Sequence, residues 1–332
     1  MRSYLTFQRW FSINALLIVL LGVCVFAALL IGSESVSLSD AISGNVRAHA
    51  IVFMSRLPRI VLAAFVGMAL ASAGGAFQAL LRNPLADPFI LGVSGGAALG
   101  AVLSTGLGLS FTWQTTTAFL GAMSSMLIIF GIARAKGRLT PTTLLLTGVI
   151  FNAFCFALIL FVNSMVTMEE AYQILFLLIG NIESLGTTTL IVLGACVLIG
   201  FSILCACAWR MNLLALGDDE AASMGVNAAR LRTIIFAAAS LMVGAAVAAS
   251  GLIGFVGLFV PHIIRMVFGA DHRLLIPASG IAGAAFLVLA DAAARSLLMH
   301  TDYATQLPVG VITALVGAPM FMLLLRKQQG RI

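Results

Sequence analysis

Charge is what this sequence has least of. Only 9% of its 332 residues are Asp, Glu, Lys or Arg, and 61% are hydrophobic, where an ordinary soluble domain carries roughly a quarter charged residues. The mean hydropathy is +1.12. Such a composition excludes a soluble globular domain and reads as an integral membrane protein. Also missing is the phosphate loop Gly-x-x-x-x-Gly-Lys-Ser/Thr, so the chain has no means of its own to bind nucleotide. Neither a His-Glu-x-x-His helix nor a Ser/His/Asp set is visible, which argues against an intramembrane hydrolase. The five cysteines, Cys24, Cys155, Cys196, Cys205 and Cys207, all fall inside apolar runs, where a thiol behaves as a small hydrophobe; no disulfide framework and no metal set follow. Intramembrane carboxylates are almost absent. Asp291 is the only one clearly within a span, and Arg295 faces it one helical turn on. Without a chain of carboxylates or histidines, coupling to protons or sodium has little to work with. The net charge of +6 reads as an orientation signal, and no nucleic-acid partner is expected.

What is present is apolar sequence in bilayer-length runs. A crossing needs about 20 apolar residues. The runs predict an all-α polytopic protein, a single permease-sized domain over 1–332, with ten spans at about 11–32, 58–81, 89–108, 113–134, 142–166, 187–209, 233–252, 254–269, 276–298 and 307–325. The first run is longer than the 7–15 residues of a signal-peptide core and is expected to stay as a span. The apolar stretch 171–182 is too short to cross and is placed flat on one surface. With the N-terminus inside, fourteen of the 18 Lys and Arg lie on the inner side, among them Arg2, Lys136, Arg138 and Arg331; only Arg47, Arg56, Arg59 and Arg295 lie outside. That bias fits ten spans with both termini cytoplasmic.

Small residues recur where helices must approach closely. Gly92, Gly96 and Gly100 share one helix face, a spacing that favours tight packing between membrane helices. The pattern Gly-x-Ala-x-Ala-x-x-Gly occurs at 67–74 and again at 244–251, with Pro84 and Pro261 each ten residues beyond, a faint sign of an inverted repeat. The longest inner connection, 213–232, contains Gly217-Asp218-Asp219-Glu220. Acidic residues suit a helix N-terminus, Gly225 suits a stop and Asn227 suits the next cap, so a short surface helix is expected there. It is either a dock for a partner ATPase or a plain solvated loop.

The blocks Arg56-Leu57-Pro58-Arg59, Arg82-Asn83-Pro84-Leu85-Ala86-Asp87-Pro88, Leu213 to Gly225, Phe255-Val256-Gly257-Leu258-Phe259-Val260-Pro261-His262-Ile263-Ile264-Arg265 and Leu307-Pro308-Val309-Gly310 resemble the FecCD permeases, membrane subunits of ATP-driven importers for iron siderophores, haem or cobalamin. One departure is Leu177 to Gly180, where the family usually has a tryptophan. The resemblance implies a cobalamin-importer-permease-like fold in the bacterial inner membrane, paired with a second copy of itself. It further implies two cytoplasmic ATPase subunits, which use ATP and Mg, and a periplasmic substrate-binding protein. This chain would bind no cofactor or metal and would not itself be an enzyme. By the same resemblance, Leu216, Gly217, Asp218, Asp219, Glu220, Ala221, Met224 and Gly225 would couple to the ATPase. Asn83, Pro84, Leu85, Thr142 and Thr143 would close the cytoplasmic gate, and Arg56, Arg59 and Arg295 would meet acidic residues of the binding protein. Met165 and Met168 could line the path or simply pack. His262 is read as structural. The rival reading is a stand-alone secondary transporter or channel for a small solute. With both termini inside, green fluorescent protein fused after Ile332 is expected to fluoresce and alkaline phosphatase fused there to be inactive; an active phosphatase would reverse the orientation.

Overall fold

The computed structural model describes residues 5–32, 40, 42–43, 45–134, 140–297 and 306–329. Arg2, Lys136, Arg138 and Arg331 of the charge-bias reading, and the last residue of the span read at 276–298, lie outside the described residues. The described chain is all helix and turn: α1 (Phe7–Leu30), α2 (Val46–Leu81), α3 (Val93–Gly106), α4 (Phe111–Arg134), α5 (Pro141–Asn163), α6 (Met168–Ile179), α7 (Thr187–Leu216), α8 (Asp218–Ser223), α9 (Ala228–Ser250), α10 (Val256–Phe268), α11 (His272–Ser296) and α12 (Val309–Gln329). A short 3-10 turn, Pro88–Leu91, leads into α3.

Seven of these helices are long and apolar enough to cross a membrane: α1, α2, α4, α5, α7, α9 and α11. The other three spans read from hydropathy fall on the shorter apolar helices α3, α10 and α12. The stretch placed on the surface is the twelve-residue α6, capped by Thr167, whose hydroxyl receives the Glu170 N–H while Glu170 accepts the Thr167 N–H at 2.9 Å, a reciprocal capping box. The largest departure from the hydropathy reading is at α2. It begins at Val46 and passes through a π-helical stretch, Ala50–Arg56, before its α-helical part. Arg47, His49 and Arg56 interrupt the apolar run, so hydropathy hid this turn. The wider π register, closed by the Leu57 N–H on the Val52 carbonyl, precedes Pro58, a residue with no N–H to offer an α-helical ladder.

Three helices, α2, α9 and α11, form the buried centre, while α1, α4, α5 and α7 carry exposed Leu, Ile, Val and Phe around it. What brings the centre together is glycine. A Cβ on Gly67 would strike the Gly283 carbonyl of α11, and one on Gly283 would strike the Gly67 carbonyl. Gly74 lies against the Gly257 carbonyl of α10. Gly96 and Gly121 oppose each other in the same reciprocal way between α3 and α4, and Gly100 rests on the Thr117 carbonyl. Helices in lipid gain little from hydrophobic exclusion, so backbone-to-backbone packing supplies the contact. Gly92 has a second duty: at φ +81° it turns the 3-10 segment into α3, a conformation that other residues adopt only at a cost.

The repeated Gly-x-Ala-x-Ala-x-x-Gly segments are not equivalent. Gly74 sits inside α2, which runs on to Leu81, whereas Gly251 ends α9 at φ +68°. Pro84 lies in a turn and Pro261 inside α10. The end of the bundle read as cytoplasmic is pinned by α1, where Arg9 donates to the Phe268 carbonyl and the Trp10 indole to the Arg273 carbonyl at 2.9 Å. Gly74→Val is expected to cost the overpacking range of about 1–3 kcal/mol and to lower the thermal midpoint in detergent. Gly131→Ala, where a Cβ meets open space, should leave the midpoint unchanged; equal shifts for the two would contradict this packing account.

Candidate functional site

At the end of the bundle read as cytoplasmic, α2 stops because Arg82 takes a left-handed conformation, φ +50°. The chain then makes a self-supporting turn. The Asn83 N–H bonds back to the Gln78 carbonyl, the Asn83 side chain accepts the Leu85 N–H at 2.9 Å, and Asp87 accepts the Phe89 N–H at 2.8 Å to cap the 3-10 segment. From this turn Arg82 reaches across to another part of the chain. Its Nε donates to the Leu214 carbonyl at the end of α7 (2.9 Å) and its Nη2 to Asp218 at the start of α8. Asp218 is also gripped by both Nη atoms of Arg232 on α9, at 2.8 and 2.6 Å. One carboxylate therefore ties together the ends of α2 and α7, the short α8 and the first turn of α9.

The expected surface helix is present as α8. Gly225, at φ +77°, follows its end, and Asn227 caps α9 by accepting the Arg230 N–H at 3.0 Å. Ala221 is fully buried beneath α8, while Leu216, Asp219, Glu220 and Met224 are exposed around it. Of the eight residues assigned to coupling, Ala221 is buried, Gly217 is half-buried at the bend, Asp218 is half exposed but held by the two arginines, and Leu216, Asp219, Glu220, Met224 and Gly225 form the exposed surface. In the gate set, Thr143 takes part in the cap of α5, its N–H on the Thr140 hydroxyl, and Thr142 is exposed. No hydrogen bond among the described residues joins this pair to Asn83, Pro84 or Leu85. Met165 and Met168 are both strongly exposed.

The acid groups at this end differ in sign. Arg232, then the balance of burial against Arg82, holds the Asp218 carboxyl below the ordinary 3.8. Burial pushes Asp271 upward, but hydrogen bonds from Arg273 and Asn212 outweigh it and hold the carboxyl at about 2. The stability these two contribute is complete above pH 3.8 and is lost only as the pH falls through their depressed values. Asp87 behaves oppositely. Burial raises it to about 6 against the pull of the Phe89 N–H, so its contribution is present below 3.8 and lost as the pH rises through about 6.

At the end read as external, the three arginines assigned to docking lie in contacts of the protein's own. Arg56 and Arg295 are 5% and 4% exposed and point into the protein. Arg59 and Arg295 close on the fully buried Asp291, with Arg59 Nε–Oδ1 and Arg295 Nε–Oδ2 both at 3.0 Å. Arg59 also donates to Gln306 at 2.9 Å, and Arg56 donates to the Leu29 carbonyl at 2.8 Å beside Gly32. A guanidinium in apolar surroundings is stable only with a counter-charge and acceptors, and Asp291 with the end of α1 provides them. In this arrangement the three arginines tie α1, α2 and α11 together.

Sequence reasoning missed an open apolar cleft of about 680 Å³ lined by Phe89, Leu252, Phe255, Gly310, Ala314 and Met322. Backbone bonds frame it: Leu252 N–H to the Leu177 carbonyl, Asn181 N–H to Ser250 and Gly310 N–H to Gly180. Phe255 has φ +70°, a costly conformation for a bulky side chain, and Gly317 makes room for it, since a Cβ there would lie 2.6 Å from that of Phe255. No sequence signal marks such a residue. Replacing Asp291 by Asn strands two buried arginines, and a loss of about 3–5 kcal/mol is expected, seen as a collapse of monodisperse protein on size exclusion. Undiminished stability would overturn the role given to this cluster.

The FecCD transport family model matches residues 19–327. The cobalamin import system permease protein BtuC of Halobacterium salinarum is 42% identical over 287 residues, covering 86% of this chain and 75% of that one. The hemin transport system permease protein HmuU of Yersinia pestis is 38% identical over 280 residues, 82% of each. Among solved structures, an inward-facing metal-chelate-type ABC transporter superposes with a TM-score of 0.84 at 34% identity, over 96% of this chain and 99% of that one.

Proposed function

From the premise that the chain belongs to the FecCD transport family and is a permease component of an ABC importer, we propose that two copies of it form a path for a chelated metal nutrient. Ferric siderophore, haem and cobalamin are the candidate cargo class, and the relatives named for cobalamin and hemin support it. A periplasmic binding protein delivers the cargo at the outer face of the inner membrane. Two ATPase subunits, which use ATP and Mg, dock inside on the exposed Leu216, Asp219, Glu220 and Met224.

The observation that carries this reading is the Arg82–Asp218–Arg232 junction. A force applied to α8 reaches the turn at Asn83, Pro84 and Leu85 through paired charges rather than through loose loop. The cleft of α10 and α12, apolar and without fixed charge, supports a path that a bulky ligand slides along without being held. Alternating access then follows if movement of α8 opens the turn on one side while the outer ends, locked by Asp291, stay together.

Two variants separate docking from transmission. In proteoliposomes with the partner ATPase and binding protein, Asp219→Ala with Glu220→Ala is expected to lower ATPase association at least several-fold. Asp218→Asn is expected to retain association and ATP hydrolysis while losing most uptake. Uptake by the chain alone, or full uptake by both variants, would defeat the proposal in favour of a stand-alone transporter.

A further inference from the structure

A second cavity, of about 430 Å³, lies at the inner ends of α2, α7, α10 and α11, and its lining includes Gln78, Arg82, Pro84, His262, Arg265 and His272. Its charged lining side chains are both cationic, Arg82 and Arg265, and no carboxylate is among the lining residues. Two acids lie beside lining residues: Asp218 pairs with Arg82 of the wall and with Arg232, and Asp271, next to His272, is held by Arg273 and Asn212. His262 and His272 are each 2% exposed. Even so, both ring nitrogens of His262, Nε2 of His272 and Nε of Arg265 have no hydrogen-bond partner, although the other His272 nitrogen meets Asn212 at 2.7 Å. Buried polar atoms are almost always paired, and here four unpaired nitrogens belong to residues lining one cavity.

Two guanidiniums with imidazoles beside them suit an acceptor-rich anion, because arginine binds oxyanions through paired charge-assisted hydrogen bonds. A cation is disfavoured by the same charges, and no group of metal-ligating residues occurs among the described residues. We propose that this cavity binds a phosphate-class oxyanion, held by Arg82 and Arg265 with His262 as a further donor, while His272 gives its Nδ1–H to Asn212. A bound anion would bridge the end of α2 and its turn to α10, stapling the two. Its source is either free phosphate on the inner side or the headgroup of an anionic lipid.

The test uses the full chain in nanodiscs of zwitterionic phosphatidylcholine. Inorganic phosphate is titrated against chloride at constant ionic strength while the thermal midpoint is followed. A saturable rise is expected in the unmodified protein. Arg265→Gln should weaken the apparent affinity at least tenfold, as should His262→Phe, which keeps a ring against Phe321. Arg273→Gln, outside the cavity, should not change it. Adding phosphatidylglycerol discriminates the source: a phosphate response lost in those discs assigns the headgroup, and an unchanged response assigns free phosphate. A rise in the unmodified protein that does not saturate, no rise in either lipid, or equal titrations for folded Arg265→Gln and His262→Phe would each overturn the proposal.

Discussion

Asp218 stands between two arginines that belong to different helices, and the inner architecture depends on that arrangement. The carboxylate is half exposed while Arg232 is only 3% exposed, so the charge at the rim neutralises a guanidinium that could not otherwise sit under α8. Arg82 reaches the same carboxylate only because α2 ends in a left-handed residue that turns the side chain sideways. Exposed ion pairs contribute little on their own. This one matters through connectivity: it links the turn after α2 to the short helix before α9.

Elsewhere the fold is governed by the reverse condition, the near absence of charge. The central helix α2 meets α11 at Gly67 and Gly283 and α10 at Gly74 and Gly257, so that backbone carbonyls lie where side chains would normally intervene, while α9 packs on it through Phe236 against Phe77. Charges are kept to the helix ends. At the outer end a single buried carboxylate, Asp291, organises Arg59 and Arg295, and Arg56 closes on the end of α1. These two charge clusters differ in exposure: that at Asp291 is sealed, and that at Asp218 borders solvent and the exposed face of α8.

Much of this was legible in the sequence. Apolar run length located the helices to within a few residues, and the short α6 and α8 followed from length, capping residues and glycine stops. What hydropathy could not give was the start of α2, because charged residues interrupt a helix that continues through a π stretch, and the extension of α7 to Leu216 past Arg210. Three of the ten expected crossings rest on α3, α10 and α12, which are not among the seven helices long and apolar enough to cross. The Asp291–Arg295 pair was readable from its one-turn spacing, whereas Arg59 lies 232 residues away, and no local pattern could say that it turns inward to the same carboxylate. The Arg82–Asp218 contact, 136 residues apart, was hidden for the same reason, as was the strained Phe255.

The central claim is that α8 and the turn after α2 move as one body when the ATPase acts. Pulsed electron resonance between spin labels at Ala222→Cys, exposed on α8 outside the docking residues, and Leu85→Cys, in the assembled transporter and a background free of the five native cysteines, measures this directly. On trapping ATP, the distance between 85 and 222 should stay constant while that between 85 and a label at Thr142→Cys changes. A change between 85 and 222 with no change between 85 and 142 would show that the junction does not carry the motion.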